Sequence, residues 1–322
     1  MVKVSVIVPN YNYARYLPIR IESILNQSFQ DFELILLDDA STDNSIQILE
    51  KYRNNPHVSH IVINEVNTGS PFQQWIKGVL LARGKYIWIA EADDVADSCF
   101  LEMCVESAES QENTSVCYTG SFAIDEKGTI DKRDINHWGR YAKKKTYSCF
   151  DGKLFAEHNL YWRNYMINAS GILFRREFAL RLQNSDFITM RYCGDWLFWF
   201  QMSMQGKVIE IYKNLNYFRQ HSSKVTINSH NSGKGIIEDI DVVSYMEKHL
   251  SSLSRYKKRL RHGLLYRKIK RLSLDNETQK ALFDLLETKL DSSVSDYYLE
   301  RWNQLLRLFL PSLLTWRRDR LR

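Results

Sequence analysis

Short aliphatic runs alternate with amphipathic stretches over the first hundred positions. Val4-Ser-Val-Ile-Val8 predicts a buried strand, and a polar turn follows at Pro9-Asn-Tyr-Asn12. Leu17, Ile21, Ile24 and Leu25 then recur at helical spacing, with Pro18 tolerated in the first turn. Glu33 to Leu37 predicts a second buried strand that ends in Asp38-Asp39. Ser41 or Thr42 is placed to cap the next helix, which carries Ile46, Leu49 and Tyr52. His60 to Ile63 reads as a third strand, Gln73 to Ala82 as a third helix, and Lys85 to Ala90 as a fourth strand ending in Glu91-Ala-Asp-Asp94. Strands alternating with helices of this length form right-handed βαβ units, so the fold class is α/β with a mainly parallel sheet flanked by helices. Ligands of such sheets bind beyond the carboxyl ends of the strands. Those ends here carry Pro9 to Asn12, Asp38-Asp39 and Asp93-Asp94.

Beyond residue 100 the pattern changes. A helix near Glu102 to Glu112, strands at Ser115 to Tyr118 and Gly171 to Phe174, and an aromatic helix from Asp195 to Met204 make a mixed middle third. Asp125 to Tyr147 is charged and aperiodic, which reads as a loop or flap. After a polar stretch near 228–235 the chain turns helical: Ile236–Leu250, Arg255–Leu272, Asn276–Leu290, and Leu299–Leu314 interrupted at Pro311.

Composition narrows the class. The 322 residues are 44% hydrophobic and 25% charged, enough to build a large core and far from a disordered or collagenous chain. No run of about 18 apolar residues predicts a bilayer-spanning helix, and no signal-peptide pattern opens the chain. Cys99, Cys104, Cys117, Cys149 and Cys193 are scattered and odd in number, which suits buried thiols in a reducing, cytoplasmic setting. Charge is uneven. Residues 231–322 hold 19 Lys and Arg against 12 Asp and Glu, whereas the first 230 hold 25 against 26.

The acids carry the strongest chemistry. Glu91, Asp93 and Asp94 follow a buried strand, where clustered carboxylates repel unless a cation or a donor-rich ligand compensates them. Their hard oxygens favour Mg²⁺ or Mn²⁺; the alternative is that they cap the following helix. Asp38-Asp39 closes a second strand with the same two readings. Asp195, beside Trp196 at the start of the aromatic helix, is a helix cap or a positioned base. Farther on, His221 is a metal ligand or a structural histidine, and Arg219 and Lys224 are placed to hold phosphate oxygens. Phosphate loops, GxGxxG, GxSxG and HExxH motifs are all missing from the sequence.

Val4-Ser-Val-Ile-Val-Pro-Asn-Tyr-Asn12, Leu37-Asp-Asp-Ala-Ser-Thr-Asp43, Asn67-Thr-Gly69, Ala82-Arg-Gly-Lys-Tyr-Ile87 and Glu91-Ala-Asp-Asp94 together resemble the successive signatures of glycosyltransferase family 2. The likeness is strong over 1–100, weaker through Asn168-Ala-Ser170, Gly194-Asp195-Trp196 and Arg219-Gln-His221, and ends near 230. It implies a GT-A fold with a C-terminal helical extension. Residues 1–100 are then the nucleotide-sugar half, 101–230 the acceptor half, and 231–322 a basic helical region. It also implies an inverting, metal-dependent transfer from a nucleotide-diphosphate sugar, with UDP placed ahead of GDP or dTDP. Pro9, Tyr11, Asn12, Asn67 and Gly69 would line the nucleotide pocket, and Asp38, Asp39 and Glu91 would meet the base or ribose. Asp93, Asp94 and His221 would hold Mn²⁺ or Mg²⁺, Arg219 and Lys224 the phosphates, and Asn168, Ser170 and Trp196 the acceptor. Asp195 would be the general base. Two departures stand out: Glu91 takes the first acidic position of the DxD-type motif, and Gly194 stands where a Glu commonly precedes the base.

The final third adds a membrane question. Nine Lys and Arg lie between 255 and 271, and Trp302, Leu305, Leu306, Leu308 and Phe309 precede terminal arginines. Basic residues flanking Trp and Leu suit contact with an anionic inner leaflet through 255–322. The alternative is that these helices pack on the catalytic domain or on another subunit. No stacking platform for nucleic acid is visible. A lipid-linked or other glycan acceptor in bacterial surface polysaccharide or lipopolysaccharide synthesis is the implied setting. A nucleotidyltransferase and a non-catalytic nucleotide-sugar-binding protein are the competing readings.

Overall fold

The computed structural model describes residues 2–136, 145–220 and 233–309. In chain order the first elements are β1 (Val4–Asn10), α1 (Leu17–Leu25), β2 (Phe32–Asp38), α2 (Ser45–Glu50), β3 (Val58–Ile63), α3 (Pro71–Leu81) and β4 (Tyr86–Ile89). Then come β5 (Val95–Ala96), α4 (Phe100–Glu109), β6 (Thr114–Ile124), β7 (Ile130–Asp134), β8 (Tyr147–Phe150) and α5 (Gly152–Phe155). β9 (Ile172–Arg175), α6 (Arg176–Leu180), α7 (Gly194–Ser203) and β10 (Lys207–Arg219) complete the sheet region. Four helices follow: α8 (Lys234–His249), α9 (Arg255–Lys270), α10 (Asn276–Leu290) and α11 (Val294–Phe309).

All these strands join one mixed sheet of order β3-β2-β1-β4-β9-β6-β10-β5, with β7 on β6 and β8 on β10. The first four strands pair in parallel, as their contiguous apolar runs require when both faces are covered. β9 then enters antiparallel between β4 and β6. Alternation sorts the side chains of β1 between two cores. Val4, Val6 and Val8 face α1 and α4, while Ile7 faces α3 and the aromatic residues of α7. The stretch 125–147, expected as a loop, contributes β7 to the sheet edge.

The C-terminal helices continue the second core. Ile236, Ile240, Val243, Met246, Leu260 and Leu265 are buried with Phe155, Tyr161 and Phe200. Of the nine cations between 255 and 271, six pair with carboxylates: Lys257 with Glu157, Lys258 with Glu247, Arg259 with Asp296, Arg261 and Lys268 with Asp239, and Arg267 with Glu300. A Cβ at Gly263 would lie 2.2 Å from the Asp296 carbonyl oxygen, so glycine permits the close crossing of α9 and α11. For α8 to α10 the packed alternative is therefore the one observed. The last helix begins at Val294, earlier than expected, and its continuation past 309 lies outside the described residues.

Candidate active site

The ends of β1 and β2 are tied together by their polar residues. Asp38 is fully buried and accepts from Asn10 Nδ2 at 2.7 Å, Ser41 N at 2.8 Å and Ser41 Oγ at 2.7 Å. Asn12, at φ 59°, accepts from Thr42 N at 2.7 Å. Asp39 is 5% exposed, and its carboxylate takes donors from Asn64, Thr68 and Gln74. Asn67 donates to the Asp39 carbonyl and accepts from Gly69 N, a turn that Gly69 closes at φ 74°. Asp38 thus braces the strand end, and the 64–74 segment folds over Asp39. Pro9 is buried in register with Leu37 and offers no surface. Tyr11, 45% exposed, and Asn12 are the exposed residues at this strand end.

The turn after β4 is held from distant parts of the chain. Asp94, 1% exposed, accepts from Asn168 Nδ2 (2.8 Å) and Ser170 Oγ (2.7 Å) on one oxygen and from Arg219 N (2.9 Å) on the other. Ser170 Oγ in turn accepts from Glu91 N, and Trp75 Nε1 donates to Glu91 Oε1 at 3.0 Å. Asn168 and Ser170 thus support the acidic turn and enclose Asp94. Arg219 is held as firmly. It is 3% exposed, its Nε donates to the Asp93 carbonyl, its Nη1 donates to the carbonyls of Asp125 and Glu126, and its guanidinium lies 4.5 Å over the Tyr16 ring. An arginine so engaged clamps the β6–β7 turn through Nε and Nη1. His221 and Lys224 lie outside the described residues.

Electrostatically the turn is short of positive charge. Burial, then Asp93 and Asp94, push Glu91 up to about 8; burial and Asp93 push Asp94 up to about 6. Burial and the same acids also raise Tyr13. One cation answers from below. Arg20 is completely buried, its guanidinium 4.8 Å over the Trp88 ring, with no hydrogen-bond acceptor for any of its three nitrogens among the described residues. Burial brings it down to about 10 while the three acids hold it up. Among the described residues no three His, Cys, Asp or Glu side chains converge as a complete cage. The donor set nevertheless fits a hard divalent cation, because it consists of carboxylate oxygens in excess of charge.

Asp195 sits in the first turn of α7, beyond the cap position held by Cys193. Its Oδ1 accepts from Trp196 N at 2.8 Å and its Oδ2 from Asn164 Nδ2 at 2.8 Å. Met166 N donates to Asn164 Oδ1, which fixes the amide orientation. Burial raises Asp195 to about 6 against these two bonds. Gly194 explains the missing Glu: a Cβ there would meet Phe72 Cε2 at 2.4 Å and the Phe187 carbonyl at 2.7 Å. The preceding loop is fastened by α8, whose Glu238 carboxylate accepts from the backbone N–H of Arg191, Tyr192 and Cys193. Trp196 is 5% exposed and donates to the Leu160 carbonyl, so it forms wall more than contact surface.

Asp195 lines a cavity of about 970 Å³. Two segments join it to the acidic turn. Residues 164–170 supply Asn164 to Asp195 and both Asn168 and Ser170 to Asp94; β10 supplies Phe218 to the cavity and the Arg219 N–H to Asp94. Asp195 and the acids are thus braced by the same strands of chain. Sequence reasoning missed Arg20, Asn164, Trp75 and Glu238. Arg20 had a signal, being a charge on the apolar helix face that carries Leu17, Ile21 and Ile24. The others are polar residues that only tertiary contacts distinguish.

Comparison with known proteins places these features in a family. The family model described as Glycosyl transferase family 2 matches residues 5–181. Chondroitin synthase of Escherichia coli is 32% identical over 143 residues, 44% of this chain and 20% of that protein. The Staphylococcus aureus poly(ribitol-phosphate) beta-N-acetylglucosaminyltransferase TarS is 39% identical over 98 residues, 29% of this chain and 17% of that protein. In each case the match spans a fifth or less of the relative's length. The crystal structure of S. aureus TarS 1–349 in complex with UDP-GlcNAc superposes with a TM-score of 0.67 at 19% identity, over 89% of this chain and 81% of that one. The shared fold is GT-A.

Proposed function

The chain belongs to glycosyl transferase family 2, and from that premise we propose that it moves a sugar from a nucleoside-diphosphate donor to a hydroxyl of a glycan acceptor, with inversion. The observation that carries the reading is Asp195: a partly buried carboxylate, raised to about 6, oriented by Asn164 and opening on a cavity. Such a group is ionised near neutrality and basic enough to take a proton from an attacking hydroxyl. A single base on the face opposite the leaving group suits one in-line displacement, and no second carboxylate nucleophile is needed.

We assign donor binding to residues 1–100 and acceptor binding to 101–230, with α9 adding to the acceptor wall. Asp93 would hold the divalent cation. Mn²⁺ or Mg²⁺ held there would offset negative charge on a leaving diphosphate. Arg20 supplies a permanent positive charge beneath the same acids, and Trp75 keeps Glu91 in place. A UDP-sugar is the donor we favour, supported by the superposition on TarS in complex with UDP-GlcNAc. Bacterial surface polysaccharide is the setting that the names of the relatives support.

Membrane contact we confine to α11. Among the described residues no helix is long and apolar enough to cross a bilayer. Tyr298, Trp302, Leu305, Leu306 and Phe309 recur at helical spacing and are all exposed, which suits a helix lying at an interface. Removing the basic surplus of α9 would then matter less for vesicle binding than Trp302→Ser.

The central test compares wild type, Asp195→Asn and Asp93→Ala with UDP-sugars plus Mn²⁺. The expected result is UDP release dependent on acceptor, lowered roughly 10²-fold or more by Asp195→Asn with UDP affinity intact. Pyrophosphate released from UTP and a sugar 1-phosphate, supplied in a parallel assay, with no UDP released from UDP-sugars, would make the protein a nucleotidyltransferase. Binding without turnover, indifferent to Asp195→Asn, would make it a sugar-nucleotide receptor.

A further inference from the structure

The cavity beside Asp195 has a charge its expected sugar does not explain. Among the described residues five cations line it, Arg163, Arg261, Arg267, Lys268 and Arg271, against two carboxylates, Asp195 and Asp239. Asp239 is spent on its neighbours, accepting from Lys268 at 2.5 Å and Arg261 at 3.5 Å. Arg267 reaches Glu300 at 3.3 Å. Arg163 and Arg271 have no carboxylate partner among the described residues. Arg163 rests 4.8 Å over the Tyr165 ring with its Nε buried and lacking an acceptor. A buried guanidinium N–H left unsatisfied costs free energy that an anion would recover.

A cavity for a neutral glycan needs aromatic faces and a balanced set of donors and acceptors. The faces are present in Trp162, Tyr192 and Phe218, but the donors far outnumber the acceptors. Arginine forks match the oxygens of phosphate in number and geometry, and two of them remain to be matched. We propose that the acceptor carries a phosphate ester, held by Arg163 and Arg271, while its hydroxyl faces Asp195. The proposal rests on the glycosyl-transfer reading of this site and names the chemical class of its acceptor. It also gives the basic face of α9 a task at the site itself. The phosphate can belong to a water-soluble sugar phosphate or to a lipid-linked diphosphate; the recognition chemistry is the same.

The test is calorimetric titration of the full chain, with UDP and Mn²⁺ filling the donor site. The probes are N-acetylglucosamine 6-phosphate, N-acetylglucosamine, glucuronate, and N-acetylglucosamine on a short-chain prenyl diphosphate. We expect the phosphorylated sugar to bind about tenfold or more tightly than the neutral one. Arg163→Gln/Arg271→Gln should erase that preference without changing UDP affinity, and Arg271→Gln alone, at an exposed position, should reduce it. Binding of the prenyl-linked probe alone, lost in the double variant, would assign the phosphate to a lipid carrier. Equal affinities in wild type, a preference for glucuronate, or a phosphate preference that survives the double variant would overturn the proposal. UDP titrated separately reads the donor site: failure there, with the phosphate preference intact, would refute the transferase reading alone.

Discussion

Asn164 offers the sharpest test of how the base is tuned. Asp195 must be ionised to accept a proton, so turnover should rise with pH and level off above about 6, the value to which burial raises the carboxyl. Asn164 Nδ2 donates to the charged form at 2.8 Å and holds that value down. A hydrogen bond to a charged group contributes about 1.5–3 kcal/mol. At about 1.4 kcal/mol per pK unit, its loss corresponds to about one to two units. The site is partly open to water, which favours the lower end. Asn164→Ala should therefore move the acid limb of kcat from about 6 to about 7 and leave the high-pH plateau within a small factor of wild type. The assay is UDP release at saturating donor and acceptor across the pH range. Asp195→Asn, measured in parallel, should show no limb at all. A limb unmoved in Asn164→Ala, or moved downward, would refute the argument that Asn164 stabilises the ionised base. A lowered plateau with an unmoved limb would show that the amide only orients the carboxylate.

Three further outcomes follow from the structure. Arg20→Met removes a buried cation facing Glu91, Asp93 and Asp94, and should cost about 3 kcal/mol or more near neutral pH. Because Glu91 and Asp94 have folded pKa values raised above their unfolded ones, the wild-type protein without metal loses stability as pH rises through about 6 to 8. The Arg20→Met loss should be larger near the upper end, and melting curves showing an equal loss at both ends would contradict this. Gly194→Ala forces a methyl against Phe72 and the Phe187 carbonyl and should destabilise by about 1–3 kcal/mol, read from the denaturant midpoint. Glu238→Ala releases the three N–H groups ahead of Asp195, so kcat should fall while UDP affinity holds; an unchanged kcat would remove Glu238 from any positioning role.

Legibility in the sequence followed physical range. β1, β2 and β4 are buried on both faces and read directly from contiguous apolar runs, and Asp195 was placed correctly at the start of its helix. β7 escaped notice because it lies at a sheet edge and carries Asp131 and Asp134 where an apolar alternation would have been needed. The polar residues Asp38, Asn168, Ser170 and Arg219 stood out in the sequence, but their bonds to neighbouring turns did not. Residue type reveals hydrogen-bonding capacity, but not whether a substrate or a neighbouring turn uses it. The basic residues of α9 show the same limit, since Asp239, Asp296 and Glu300, their partners, lie on other helices.

The bonds that brace Asp94 come from Asn168, Ser170 and Arg219, residues 74, 76 and 125 positions later. During synthesis the N-terminal strands and their helices emerge first, and Asp94 lacks its full set of bonds until more than two-thirds of the chain has left the ribosome. Affinity for a metal-bound nucleotide should consequently appear late and all at once, when β9 inserts beside β4 and β10 closes behind it. A fragment ending near residue 100 keeps the bonds that tie Asp38, Asp39 and Glu91 to their neighbours and lacks the three that hold Asp94, so the acidic turn is the last part of this strand end to be fixed.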